Sequence, residues 1–177
     1  NMKKERLEIC KKLLSLLSTE NSLLDLATGH GKFARLAKEM GYNVTAIDAR
    51  KDRMPNYKGI KWIVVDLANI NISDYQIVLC LGILYHLNDP EELVKRMKNS
   101  ITILDTHFAA SEKVEHLGYK GDFYKENRSA LTSSFNDDLS FWPSKKELLR
   151  MLNKYYSVVM ELIPSYMNGR TFFLLIP

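Results

Sequence analysis

Cysteine is nearly absent from this chain: there are two, Cys10 and Cys80, in 177 residues. Each sits among apolar neighbours, so both read as buried thiols in a reducing compartment rather than as part of a disulfide framework. No run approaches the ~18 consecutive apolar residues of a membrane span. The opening Asn1-Met2-Lys3-Lys4-Glu5-Arg6 leads into a charged amphipathic stretch, not an apolar signal core, and the expected location is cytoplasmic. No His or Cys cluster has metal-ligand spacing, so no metal is expected. No serine or cysteine nucleophile has a supporting constellation, and there are no internal repeats or low-complexity runs. A strong excess of one charge is also missing: 25 basic against 21 acidic residues give a net charge of +4. That is too mild to demand a nucleic-acid partner. What remains, at 46% hydrophobic and 26% charged residues, is ordinary globular composition for one domain over 1–177.

Apolar spacing predicts an N-terminal helix over 3–18 within an N-terminal region 1–20. Helices are also expected over 32–40, from Pro90 to about 98, and over 144–153 with Ser144 as cap. Short, near-continuous apolar runs predict strands at 22–27, 44–47, 60–65, 76–81 and 101–106. Alternation of such strands with helices implies α/β architecture, a parallel sheet covered on both faces. The last two strands, 158–163 and 171–176, are joined so tightly that they must be antiparallel. The fold class expected is therefore a Rossmann-like doubly wound, mostly parallel seven-stranded sheet with an antiparallel final strand placed at its end.

The segment Leu24-Asp25-Leu26-Ala27-Thr28-Gly29-His30-Gly31-Lys32 runs from the first strand into a helix. Gly29 and Gly31 allow a sharp turn and close backbone approach to a ligand, and the helix N-terminus offers unpaired amides. The second strand ends in Asp48, 19 residues beyond Gly29, where a carboxylate can accept both hydroxyls of a ribose. Asp66 follows the third strand, within reach of an adenine edge. Three acids closing three successive strands line one crevice, and a nucleoside site is the reading that explains all three.

These pieces, with Val44-Thr45-Ala46-Ile47-Asp48, Val65-Asp66-Leu67 and Ile77 through Tyr85-His86, resemble the class I S-adenosylmethionine-dependent methyltransferases. The resemblance covers residues 20–106 and, in pattern, the last 35. It departs at Ala27, where the family more often has glycine. It implies that Gly29 and Gly31 pass the methionine end of S-adenosylmethionine and that Asp25 anchors its amino group. Asp48 would hold the ribose, Asp66 and Leu67 would meet the adenine, and Ala27, Ala49 and Leu81 are counted among the cofactor-binding residues. A nicotinamide-binding dehydrogenase fits less well, because the first strand ends in an acid and the last strand is reversed.

A methyl donor of this kind needs a base only where the acceptor must lose a proton. His86 and Tyr85, after the fourth strand, are the candidate catalytic residues, since histidine titrates near neutrality. His107, Arg128 and Trp142 are the candidate acceptor contacts. Residues 106–143 form a long aromatic-rich stretch expected to act as a substrate lid. The acceptor expected is small or medium-sized, the protein a monomer or homodimer. Two alternatives stay open: a non-catalytic cofactor-binding partner subunit, and a tRNA-modifying methyltransferase. Ser140-Phe141-Trp142-Pro143-Ser144 is similar to a segment of enzymes acting on wobble uridine, but their extra N-terminal structure is lacking here, so nucleic acid is not favoured. The basic residues of the first helix are expected to be a solvated face.

Overall fold

The computed structural model describes residues 2–127, 138–163 and 169–177. Among the described residues four α-helices, α1 (Met2–Leu14), α2 (Lys32–Glu39), α3 (Pro90–Met97) and α4 (Lys145–Leu152), accompany ten strands. The strands are β1 (Ser22–Asp25), β2 (Asn43–Asp48), β3 (Lys61–Val64), β4 (Ile77–Leu81), β5 (Ile101–His107), β6 (Val114–His116), β7 (Tyr119–Lys125), β8 (Leu139–Pro143), β9 (Val158–Leu162) and β10 (Arg170–Ile176). Seven of them form one sheet in the order β3-β2-β1-β4-β5-β10-β9, with β10 antiparallel to both neighbours and the rest parallel.

The period-2 alternation of the strands sorts two cores onto the two faces. Leu24, Val78, Cys80, Leu104, Phe173 and Leu175 pack with α3 and α4 through Leu93, Met97, Leu148 and Met151. Leu23, Ile77, Leu79, Ile103, Phe172 and Leu174 pack with α1 and α2 through Cys10, Leu14, Ala34 and Ala37. Asp89 and Ser144 cap α3 and α4, accepting the N–H groups of Glu92 and Glu147.

One expectation is corrected. The reversed strand does not lie at the end of the sheet; β10 is inserted between β5 and β9, and β9 is the edge. The burial of the two strands gives the reason. Arg170–Leu175 is buried throughout, whereas β9 alternates between half-buried and exposed residues. A strand apolar on both faces belongs inside a sheet.

The described part of 106–143 is not an irregular loop. It forms a second antiparallel sheet in the order β6-β7-β8. Leu117 and Gly118, both at positive φ (51° and 80°), close the β6–β7 hairpin in two residues. Gly121 lies against the backbone of Trp142, where any Cβ would run into the Trp142 carbonyl. Gly121 thereby lets β7 and β8 approach closely at Trp142.

Candidate functional site

Asp25, the last residue of β1, is 2% exposed and accepts the Thr28 hydroxyl at 2.5 Å. Burial pushes its pKa up to about 7 against the pull of Thr28 and the Ala34 N–H, with Asp48 adding to the rise. The turn beyond it uses positive φ at Ala27 (51°), Gly29 (55°) and Gly31 (68°). Asp48 closes the loop from the next strand: its Oδ2 accepts the Gly29 N–H at 2.9 Å and its Oδ1 the Arg50 N–H at 2.8 Å. The glycine loop and the acid 19 residues on are thus one structure.

The two glycines do different jobs. A Cβ on Gly29 would meet nothing within 4 Å, so that stretch of backbone is open to a ligand. A Cβ on Gly31 would lie 2.5 Å from the Trp62 ring and 3.1 Å from Pro55, so there the glycine serves internal packing. Ala27 holds a left-handed conformation that alanine adopts at a cost of roughly 1–2 kcal/mol. Ala27→Gly is therefore expected to stabilise the protein by about 0.5–1 kcal/mol after the larger unfolded-state entropy of glycine is subtracted. Thermal unfolding should show Tm raised by about 1–4 °C. An unchanged or lowered Tm would show that the turn carries no such strain.

Asp66 accepts the Ala68 N–H at 2.9 Å, capping the short turn Leu67–Asn69. Ala49, directly after β2, Leu67, beyond β3, and Leu81, the last residue of β4, are half-buried. Sequence reasoning missed Arg53, which follows β2 in a short charged turn and carries no local signal. Its Nε and Nη2 are buried without a hydrogen-bond partner among the described residues. Burial and then Arg50 lower its pKa, opposed by Asp48 and Asp52. Orphaned donors next to the acid ending β2, and open backbone at Gly29, fit a hydroxyl-rich nucleoside.

On the other side of β1, the turn Leu84–His86 places Tyr85 and His86 beside the small sheet. His86 Nδ1 lies 3.0 Å from both carboxylate oxygens of Glu126, with side-chain exposures of 15% and 8%. Glu126 directly follows β7 and is 40 residues away in sequence, so nothing local announces the pair. Tyr85 packs edge-on to His107 at 4.6 Å and to Trp142 at 5.7 Å between ring centres. Trp142 donates Nε1–H to the Tyr85 carbonyl at 2.7 Å and stacks on both His107 and Tyr124.

His107 has no nitrogen to spare. Its Nδ1–H donates to the Gly169 carbonyl, and its Nε2 accepts from Arg170 at 3.0 Å. Burial, then Arg170, lowers its pKa, so the neutral ring is favoured. The structure thus gathers Tyr85, His86, His107 and Trp142, while Arg128 lies outside the described residues. Burial drives both Cys10 and Cys80 pKa values up, which leaves the thiols inert. Among the described residues no three His, Cys, Asp or Glu side chains are grouped to hold a metal, and no helix is long and apolar enough to cross a membrane.

Arg6 was expected on a solvated helix face. Instead it reaches into the sheet, where Nε donates to Asp105 at 2.7 Å and Nη2 to the Leu81 carbonyl at 3.1 Å. Asp105 is wholly buried and is also held by Arg170, at 2.6 and 2.7 Å.

A family model described as a methyltransferase domain matches residues 2–172. No curated protein matches the sequence significantly. Among solved structures, the N-terminal domain of EvdMO1 with bound S-adenosylhomocysteine is similar at a TM-score of 0.78 and 16% identity, covering 96% of this chain and 79% of that one. The 1,6-didemethyltoxoflavin-N1-methyltransferase of Burkholderia thailandensis, solved with 1,6-didemethyltoxoflavin and S-adenosylhomocysteine, has a TM-score of 0.67 and 14% identity, covering 96% and 76%. An S-adenosylmethionine-dependent methyltransferase of Methanosarcina mazei has a TM-score of 0.61 and 16% identity, covering 93% and 97%. At these identities the structures speak for the shared fold, and the family model for membership. Matched along almost its whole length and built on the 3-2-1-4-5 order of parallel strands with a reversed strand beyond, the chain belongs to the methyltransferase-domain family, as a class I S-adenosylmethionine-dependent methyltransferase.

Proposed function

We propose that the protein transfers a methyl group to a small-molecule acceptor held between the Leu84–His86 turn and the small sheet, with His86 as base. The observation that carries this reading is the His86–Glu126 pair. A carboxylate on Nδ1 fixes the ring and its tautomer, which leaves Nε2, without a partner among the described residues, to take the acceptor's proton. S-adenosylmethionine supplies an already activated methyl group, so the protein's task is alignment and exclusion of water. Asp48 and Arg53 would hold the ribose hydroxyls, Asp66 and Leu67 the adenine, and Asp25 with Thr28 the amino end. Gly29, Gly31, Ala27, Ala49 and Leu81 would line the donor. The similar Burkholderia enzyme was solved with bound 1,6-didemethyltoxoflavin, and the N-terminal domain of EvdMO1 in the presence of D-fucose, which supports a small acceptor here. A tRNA acceptor gains nothing from Arg6, which is spent on Asp105 inside the fold.

Calorimetric titration with S-adenosylmethionine tests the donor site. Asp48→Ala should weaken binding roughly 10–100-fold, since hydrogen bonds to a charged acceptor contribute about 1.5–3 kcal/mol. Wild-type affinity should rise as pH passes upward through about 7, because Asp25 must shed its proton to hold an ammonium group. Asp25→Asn should flatten that dependence. Undiminished binding by Asp48→Ala would remove the site as drawn.

A further inference from the structure

Arg6, Arg170 and Asp105 meet where β4, β5 and β10 come together, two guanidiniums on one carboxylate. Among the described residues no other carboxylate touches either arginine, so the cluster carries one uncompensated positive charge. The Arg170 side chain is 9% exposed and that of Arg6 19%. Burying an unbalanced charge is costly unless a counter-charge arrives. The Phe33 ring near Arg6 (5.3 Å) and the Tyr85 ring near Arg170 (5.2 Å) offset part of that cost without supplying a negative charge.

The donors also converge on a point. Gly82, directly after β4, sits at φ 112°, a conformation that leaves its Cβ position empty. An atom there would be 3.5 Å from Nη2 of Arg170, Nη2 of Arg6 and Oη of Tyr85. Moved slightly toward those groups, an oxygen enters hydrogen-bond range of all three. The Tyr85 hydroxyl gives its proton to no described residue, and one Nη2 hydrogen of Arg170 remains after its bond to Asp105.

We infer that Gly82, Arg170, Arg6 and Tyr85 form a receptor for a carboxylate on the acceptor, so that the enzyme methylates a small organic acid. The inference rests on the methyl-transfer reading and narrows its substrate class. Arg170 enters from β10, three strand spacings (roughly 14 Å) from the end of β1 and its glycine loop. Its Nη1 contacts His107 and Tyr85, the residues that pack on Trp142. Gly82 itself follows β4, the strand paired with β1, so the receptor lies where the donor crevice meets the acceptor side. Tyr85 joins it to His86, whose ring centre is 4.3 Å away.

Benzoate and its neutral isostere benzamide, titrated by calorimetry into free protein and into protein saturated with S-adenosylhomocysteine, test the receptor. Benzoate should bind the loaded protein at least about tenfold more tightly than benzamide. Tyr85→Phe, which keeps the ring, should reduce that preference about tenfold while leaving S-adenosylhomocysteine affinity in place. Equal binding of the two probes, or binding of neither, overturns the inference. So does benzoate binding that S-adenosylhomocysteine expels, which would assign the receptor to the donor's own carboxylate. If S-adenosylhomocysteine fails to bind but free protein still prefers benzoate, the methyl-transfer reading falls and the carboxylate receptor stands.

Discussion

His86→Ala is expected to lower kcat about 10²–10⁴-fold, the usual contribution of a positioned general base, while the Kd for S-adenosylmethionine changes less than about twofold. The separation follows from geometry. His86 lies on the Leu84–His86 turn beyond β4 and contacts Tyr85 and Glu126, whereas Asp48, Gly29 and Arg53 cluster around β1 and β2. Glu126→Gln retains an oxygen facing Nδ1 but removes the charge that favours the imidazolium formed on proton uptake. It should cost less than His86→Ala, because the ring keeps a hydrogen-bond partner while losing its anionic one. Single-turnover rates read beside calorimetric affinities distinguish the roles. Equal losses of turnover and donor affinity in His86→Ala would make the histidine a structural residue and leave the reaction without a base.

The largest effect on stability is expected at Asp105. Its carboxylate has no solvent exposure and is the sole acidic partner of two guanidiniums among the described residues. Asp105→Ala strands both cations in the sheet, and breaking a buried pair from one side costs about 3–5 kcal/mol. For a chain of this length that corresponds to a fall in Tm of roughly 6–20 °C. Replacing all three partners by apolar residues of similar volume (Asp105→Leu, Arg6→Met, Arg170→Met) should recover most of the loss, since a whole buried ion cluster exchanged for packed hydrocarbon is often close to neutral. Differential scanning calorimetry on the single and triple variants decides it. A triple variant as unstable as Asp105→Ala would mean that the residues act by shape rather than charge balance. The cluster also ties α1 to the sheet through Arg6, so early loss of α1 from Asp105→Ala on heating, read by hydrogen exchange, is part of the same expectation.

The proposed donor half of the crevice was legible in the sequence, and the proposed acceptor half largely was not. Asp25, Asp48 and the glycines were readable because each follows an apolar run at a strand end, and strand ends in a doubly wound sheet share one edge. The structure adds that Asp48 binds the Gly29 amide and that Asp25 is buried, neither of which spacing alone specifies. Tyr85, His86, His107 and Trp142 were readable as residue types near strand ends, but their partners were not. Glu126 sits in a charged Lys125-Glu126-Asn127 stretch that looks like any solvated loop. The small sheet was hidden for a related reason: β6 has three residues, and β7 mixes charged with aromatic side chains in place of a clean alternation.

By itself the sequence determined the alternation of strands and helices, the two-faced core and the edge where acids close successive strands. These depend on local periodicity and on which residue follows each apolar run. Only the tertiary structure decided that β10 enters between β5 and β9, that Glu126 orients His86, and that Arg6 and Arg170 converge on Asp105 from 99 and 65 residues away. Such pairings come from burial. A polar or charged group removed from water must find its partner in whatever element the packing brings alongside, and that choice belongs to the whole fold rather than to neighbours in the chain.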